Sequence, residues 1–164
     1  MKNETDNLTT QNNPSANDWA FSKDSGEAMN RLVRGEISAV EAYTSIIEKI
    51  ESKPELERLH EILATHQSHV NYFKKMAVKQ DKVPDYESGA WGNVVSLFVG
   101  SAKLFGNTAA LKALKEGEEH GLNEYQKLLE NEDVPNNVKV QVREKMMPTL
   151  HMNINSIDAM MKMQ

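Results

Sequence analysis

Apolar residues recur along most of the chain at spacings of three and four, the signature of helices that bury one face. From about Ser25 or Gly26 to Glu51 the stripe is Met29, Leu32, Val33, Val40, Tyr43, Ile47 and Ile50. From about Pro54 to Lys79 it is Leu56, Leu59, Leu63, Val70, Phe73 and Ala77, close to a heptad. A third stripe, Leu111, Leu114, Leu122, Tyr125 and Leu129, runs from a cap near Asn107 or Thr108 to Glu130. A fourth, Val140, Met147, Leu150, Ile154, Ile157 and Met161, runs from about Asn136 to Met161. Pro148 lies inside it and predicts a kink, because proline lacks the N–H that a helix interior requires. Pro54 instead suits the first turn of the second helix, where that N–H has no intrahelical partner. The expectation is an all-α fold of four helices.

The rest of the chain fits round these helices. Residues 1–24 are rich in Asn, Thr, Ser and Asp and have no periodicity, so they read as a disordered arm, with Trp19 and Phe21 as a potential anchor. Residues 25–164 then form the helical domain. Residues 80–108 make a connection long enough to carry the chain from one end of a bundle to the other. Its middle, Trp91–Phe105, is apolar enough for a short packed helix, and Trp91 between glycines reads as a plug for the bundle end.

Several polar residues interrupt the stripes. Glu36 lies between Val33 and Val40, and Glu118 lies one turn from both Leu114 and Leu122. A carboxylate buried bare costs several kcal/mol, so each must be paired, protonated, ligated or reached by water. His66 holds the inward position between Leu63 and Val70, and His69 follows one turn later on the same side. His151 borders the fourth stripe beside Leu150. Glu36, His66, His69, Glu118 and His151 together form a candidate metal set, since carboxylates and neutral imidazoles suit a hard or borderline cation. The competing account gives the glutamates an ion pair or a tyrosine hydrogen bond, and the histidines a carbonyl or Glu36 as partner. Tyr43 and Tyr125, each two turns from a stripe glutamate, either fill core or orient a ligand. The nine methionines, spread along helices, read as adaptable core rather than a copper site.

The two halves echo each other at an offset of 82 positions. Leu32, Gly35, Glu36, Tyr43, Glu48 and His69 map onto Leu114, Gly117, Glu118, Tyr125, Glu130 and His151. The echo predicts two helical hairpins related by a pseudo-twofold axis.

Composition narrows the function classes. With 19 basic and 24 acidic residues the net charge is −5, which argues against a general nucleic-acid binder. With no cysteine there is no thiolate site and no cysteine nucleophile. The N-terminus has no apolar signal core and no run approaches a membrane span, so the expected location is the cytoplasm, with no membrane partner.

RGEISAVEAY in the first helix, SGAWG in the crossover and ALKEGEEHGLNEY in the third resemble a bacterial family of unknown function with a ferritin-like four-helix bundle. The likeness covers roughly Met29 to Met161. Glu36-x-x-Ala39-x-x-x-Tyr43 is also similar to the first-helix motif of rubrerythrins. The resemblance implies a long crossover between the second and third helices. It also implies a di-iron site with one Glu each from the first and third helices and Glu-x-x-His from the second and fourth. Glu36 and Glu118 match the single carboxylates. His66-x-x-His69 and Pro148-x-x-His151 stand where Glu-x-x-His would, so both bridging carboxylates are missing. That departure weighs against oxidase, ferroxidase and peroxidase chemistry. The expectation is therefore a non-catalytic, ferritin-like bundle with a degenerate site for one zinc or iron ion. The alternatives are a di-iron redox enzyme, or a metal-free structural or stress-associated interaction module, homodimeric through an apolar face near the crossover.

Overall fold

The computed structural model describes residues 23–48, 50, 53–78 and 106–163. Most of these residues are helical, and no strand is found among them. Helix α1 spans Lys23–Ile47, α2 Lys53–Val78 and α3 Asn107–Glu130. The fourth arm is continuous but irregular: α4, Asn136–Gln141, passes through a π-helical turn at Val142–Met146 into α5, Met147–Lys162. None of these helices is long and apolar enough to cross a membrane. The expected anchor at Trp19 and Phe21, the short helix around Trp91 and the dimer face beside it lie outside the described residues.

Local chemistry sets the helix ends. Gly106 precedes α3 with φ of 82°, a backbone geometry that glycine adopts at little cost. The cap position falls on Gly106, which has no side chain to offer, and not on Asn107 or Thr108 as expected. After α3, the Asn131 side chain accepts the Asp133 N–H at 2.9 Å and closes a tight turn. Pro135 then starts the fourth arm, its carbonyl accepting the Val138 N–H at 3.0 Å.

The irregularity of the fourth arm lies just ahead of Pro148. The proline has no N–H to offer the Glu144 carbonyl, so an ordinary α turn cannot close there. The Met147 N–H reaches back five residues to the Val142 carbonyl instead. Val134, Val138, Val142, Met146 and Leu150 are all buried, in consecutive steps of four. Each such step over-rotates a 3.6-residue helix by about 40°, and the wider π turn absorbs the drift. The buried face of this arm is therefore Val138, Val142, Met146, Leu150, Asn153, Ile157 and Met160. Val140, Met147, Ile154 and Met161, expected inside, are only half-buried.

α1 packs against α2 and α3, α3 packs against α5, and α2 makes a lighter contact with α5. Two apolar clusters fill the interior. One joins Leu32 and Val33 of α1 to Phe73 and Met76 of α2, Tyr125 and Leu128 of α3, and Val138 to Leu150 of the fourth arm. The other joins Tyr43 and Ile46 to Leu59 and Ile62, Leu111 and Leu114, and Ile157 and Met160. α1 and the fourth arm thus run from the first cluster to the second, while α2 and α3 run the opposite way. Every packed pair is antiparallel, and α3 starts at the end opposite to the one where α2 stops.

Candidate metal centre

Between the two apolar clusters each helix contributes polar side chains to one buried layer. α1 brings Glu36, α2 brings His66 and His69, α3 brings Glu118, and α5 brings Asn153. All five are 7% exposed or less, so their polar atoms must satisfy one another.

His66 is the hub. Its Nδ1 lies 2.7 Å from Glu36 Oε2 and its Nε2 lies 2.8 Å from Glu118 Oε1, so one imidazole bridges both carboxyl groups. His69 Nδ1 lies 3.3 Å from the other oxygen of Glu36. The two phenols cross the interior rather than staying on their own helix. Tyr43 of α1 donates to Glu118 Oε1 at 2.6 Å, and Tyr125 of α3 donates to Glu36 Oε1 at 2.5 Å. Asn153 Nδ2 stands 3.4 Å from each Glu118 oxygen. The Tyr43 ring stacks on His66, with centroids 5.3 Å apart, and fixes the imidazole plane.

The electrostatics follow from this packing. Burial opposes a charge on Glu36, but the adjacent His66 and His69 outweigh it and hold the carboxyl down at about 2. Burial likewise opposes a charge on His66, yet Glu36 and Glu118 together push its pKa up to about 10. Without a metal, therefore, Glu36 is an anion and His66 a cation at neutral pH. Burial and the neighbouring glutamates drive both Tyr43 and Tyr125 well above the ordinary phenol value, so both stay neutral donors.

Ligating atoms of Glu36, His66 and His69 lie within 4.8 Å of one another, so this buried cluster could hold a metal ion. Two imidazole nitrogens and one carboxylate oxygen fit zinc and the other borderline divalent ions. Glu118 joins the cluster only through the far edge of His66. His151 does not join it. It is exposed, on an open surface groove with Gln126, Leu129, Glu130, Arg143, Met147 and Pro148. The buried face of α5 passes through Leu150 and Asn153, which turns His151 outward. Asn153 is not in the expected ligand set, yet its position carries a signal: it lies three residues after Leu150 and four before Ile157, both fully buried. Lys115 pairs with Asp158 and Glu119, and Lys112 with Glu116, so the buried glutamates draw on neither lysine. The chain matches no protein-family model, no curated protein and no solved structure.

Proposed function

We propose that the protein is a ferritin-like four-helix bundle that binds one divalent transition-metal ion, zinc or iron, through Glu36, His66 and His69, without redox turnover. The observation that carries this reading is the convergence of those three side chains in a layer closed off by apolar residues on both sides. Natural cores seldom enclose a carboxylate and two imidazoles unless the groups are paired or coordinate a metal. The antiparallel order of the arms agrees with a bundle whose crossover joins the second and third helices. Opposite Glu118, α5 presents the neutral amide of Asn153. A second ion there would lack a bridging carboxylate, which favours one ion over two. Tyr125 buttresses Glu36, and the ion would sit where the His66 and His69 nitrogens now meet the carboxyl group. Metal uptake then releases protons and strengthens as pH rises.

Elemental analysis of untagged protein tests this reading. The expected result is close to one zinc or iron per chain, lost in Glu36→Ala and in His69→Ala. Two irons per chain with oxygen- or peroxide-dependent turnover would establish the redox enzyme instead. A second reading, a metal-free structural or interaction module, is favoured by one observation: both His66 nitrogens already meet carboxyl oxygens. It predicts no bound metal and a melting temperature indifferent to chelator.

A further inference from the structure

We infer that Glu118 is a positioning residue for the ion, not one of its ligands, and that the ion is held at the Nδ1 edge of His66. This rests on the metal reading above and assigns the two edges of one imidazole different tasks. The Nδ1 edge faces Glu36 Oε2 at 2.7 Å, and the same carboxyl group meets His69 Nδ1 at 3.3 Å. An ion on this side gathers two nitrogens and a carboxylate. The Nε2 edge faces Glu118 Oε1 at 2.8 Å, where, among the described residues, the Tyr43 phenol and the Asn153 amide also meet that carboxyl group. An ion on that side would gain one nitrogen and one carboxylate, one nitrogen fewer than at Nδ1, while each side carries one phenol donor, Tyr43 on Glu118 and Tyr125 on Glu36.

With the ion at Nδ1, the remaining proton of His66 sits on Nε2 and is donated to Glu118. That donation fixes the tautomer and the ring orientation, the task that outer carboxylates perform for metal-bound histidines. Tyr43 serves the arrangement twice. Its phenol holds Glu118 in place and its ring lies against the His66 plane. Asn153 presents its amide nitrogen to both oxygens of the same carboxyl group from the far side. The two glutamates that share a motif in the two halves of the sequence thus have different jobs. The difference arises because only the first half has a histidine, His66, at the central position.

The test uses full-length untagged protein with nitrogen-15-labelled histidine, loaded with zinc. Two-bond proton–nitrogen correlation spectra should show His66 with a proton on Nε2 and a zinc-shifted Nδ1. Glu118→Ala should still bind one zinc per chain at saturation but with affinity reduced by roughly 10–100-fold. Glu118→Gln keeps an acceptor and should recover part of that loss, whereas Glu36→Ala should abolish stoichiometric binding. Zinc on Nε2 of His66, or loss of zinc in Glu118→Ala as complete as in Glu36→Ala, overturns the assignment and leaves the metal reading standing. Should Glu118→Ala fail to fold, the wild-type spectrum alone decides between the two edges. A wild-type protein that takes up no zinc at all sinks the metal reading, and this assignment with it.

Discussion

The phenol of Tyr125 donates to Glu36 from the other half of the chain, and the phenol of Tyr43 returns the same contact to Glu118. Both residues of the second contact lie 82 positions from their counterparts in the first. The repeated Gly-Glu and Tyr of the sequence therefore meet as a reciprocal pair of braces, each helix holding the carboxyl group of the other. The frame is symmetric and its contents are not. Counted 82 positions on, His66 corresponds to Pro148, which cannot carry a ligand, and His69 to the exposed His151. One histidine consequently serves two glutamates.

The braces should be worth measuring one at a time. Replacing Tyr43 or Tyr125 by phenylalanine removes one donor from a buried carboxylate and keeps the ring. Each change should destabilise the metal-free protein by about 1–3 kcal/mol. Glu36, His66 and Glu118 form one continuous network, so the double variant should depart from additivity by roughly 0.5 kcal/mol or more. Urea denaturation of the two single variants and the double variant provides the cycle. Strict additivity would mean that the carboxyl groups do not communicate through His66.

The same network sets a pH window for the metal-free protein. His66 is raised from 6.5 to about 10 by its two carboxyl neighbours. Its contribution to stability is complete below 6.5 and is lost as pH climbs through 10. Glu36 is lowered from 4.5 to about 2. Its contribution is complete above 4.5 and is lost as pH falls through 2. Both are whole only between about 4.5 and 6.5, so melting temperature in chelator should peak there and fall on either side. The alkaline decline should flatten in His66→Gln, which has no proton to lose. An unchanged alkaline limb in that variant would place the responsible group elsewhere.

The helices were legible in the sequence because spacings of three and four name a buried face within a residue or so. The inward positions of Glu36, His66 and Glu118 followed from that face alone. The misplacements are shifts of register between the sequence pattern and the real helix. A strict heptad drifts against a 3.6-residue helix, so the expected Ile47, Leu63 and Leu129 give way to Ile46, Ile62 and Leu128 as the fully buried residues. In the fourth arm the π turn adds a further local change of register, and His151 left the interior while Asn153 entered it. Proline announced an irregularity but not its form. The tyrosine braces were not legible in any single helix, because the spacing within a helix says nothing about which neighbour a phenol will reach.

Removing the hub should expose how much the layer depends on its single cation. In His66→Leu the two carboxyl groups of Glu36 and Glu118 lose the imidazolium between them. Breaking a buried ion pair by deleting one partner typically costs about 3–5 kcal/mol, and a loss of that size is expected in chelator-treated protein. Adding Glu36→Gln to the same chain removes one stranded charge and should return part of the stability. If the double variant is no more stable than His66→Leu alone, the loss stems from packing against Tyr43 and not from charge.

Gly35 and Gly117 provide the opposite kind of test, a gain. Each directly precedes one of the buried glutamates, and the echo in the sequence makes them look functional. Among the described residues, a Cβ built on either meets nothing within 4 Å, and both glycines are exposed on the outer face of a helix. Gly121 differs, since a Cβ there would stand 3.4 Å from Leu150 Cδ2. Gly35→Ala and Gly117→Ala should therefore each stabilise the protein by about 0.4–1 kcal/mol, mainly by restricting the unfolded chain. Zinc stoichiometry should not change, because the glutamates keep their helical positions. Gly121→Ala should gain less, as its new methyl must share space with Leu150. A fall in melting temperature at Gly35 or Gly117 would mean that another part of the chain rests directly on that helix face and needs the glycine's missing side chain.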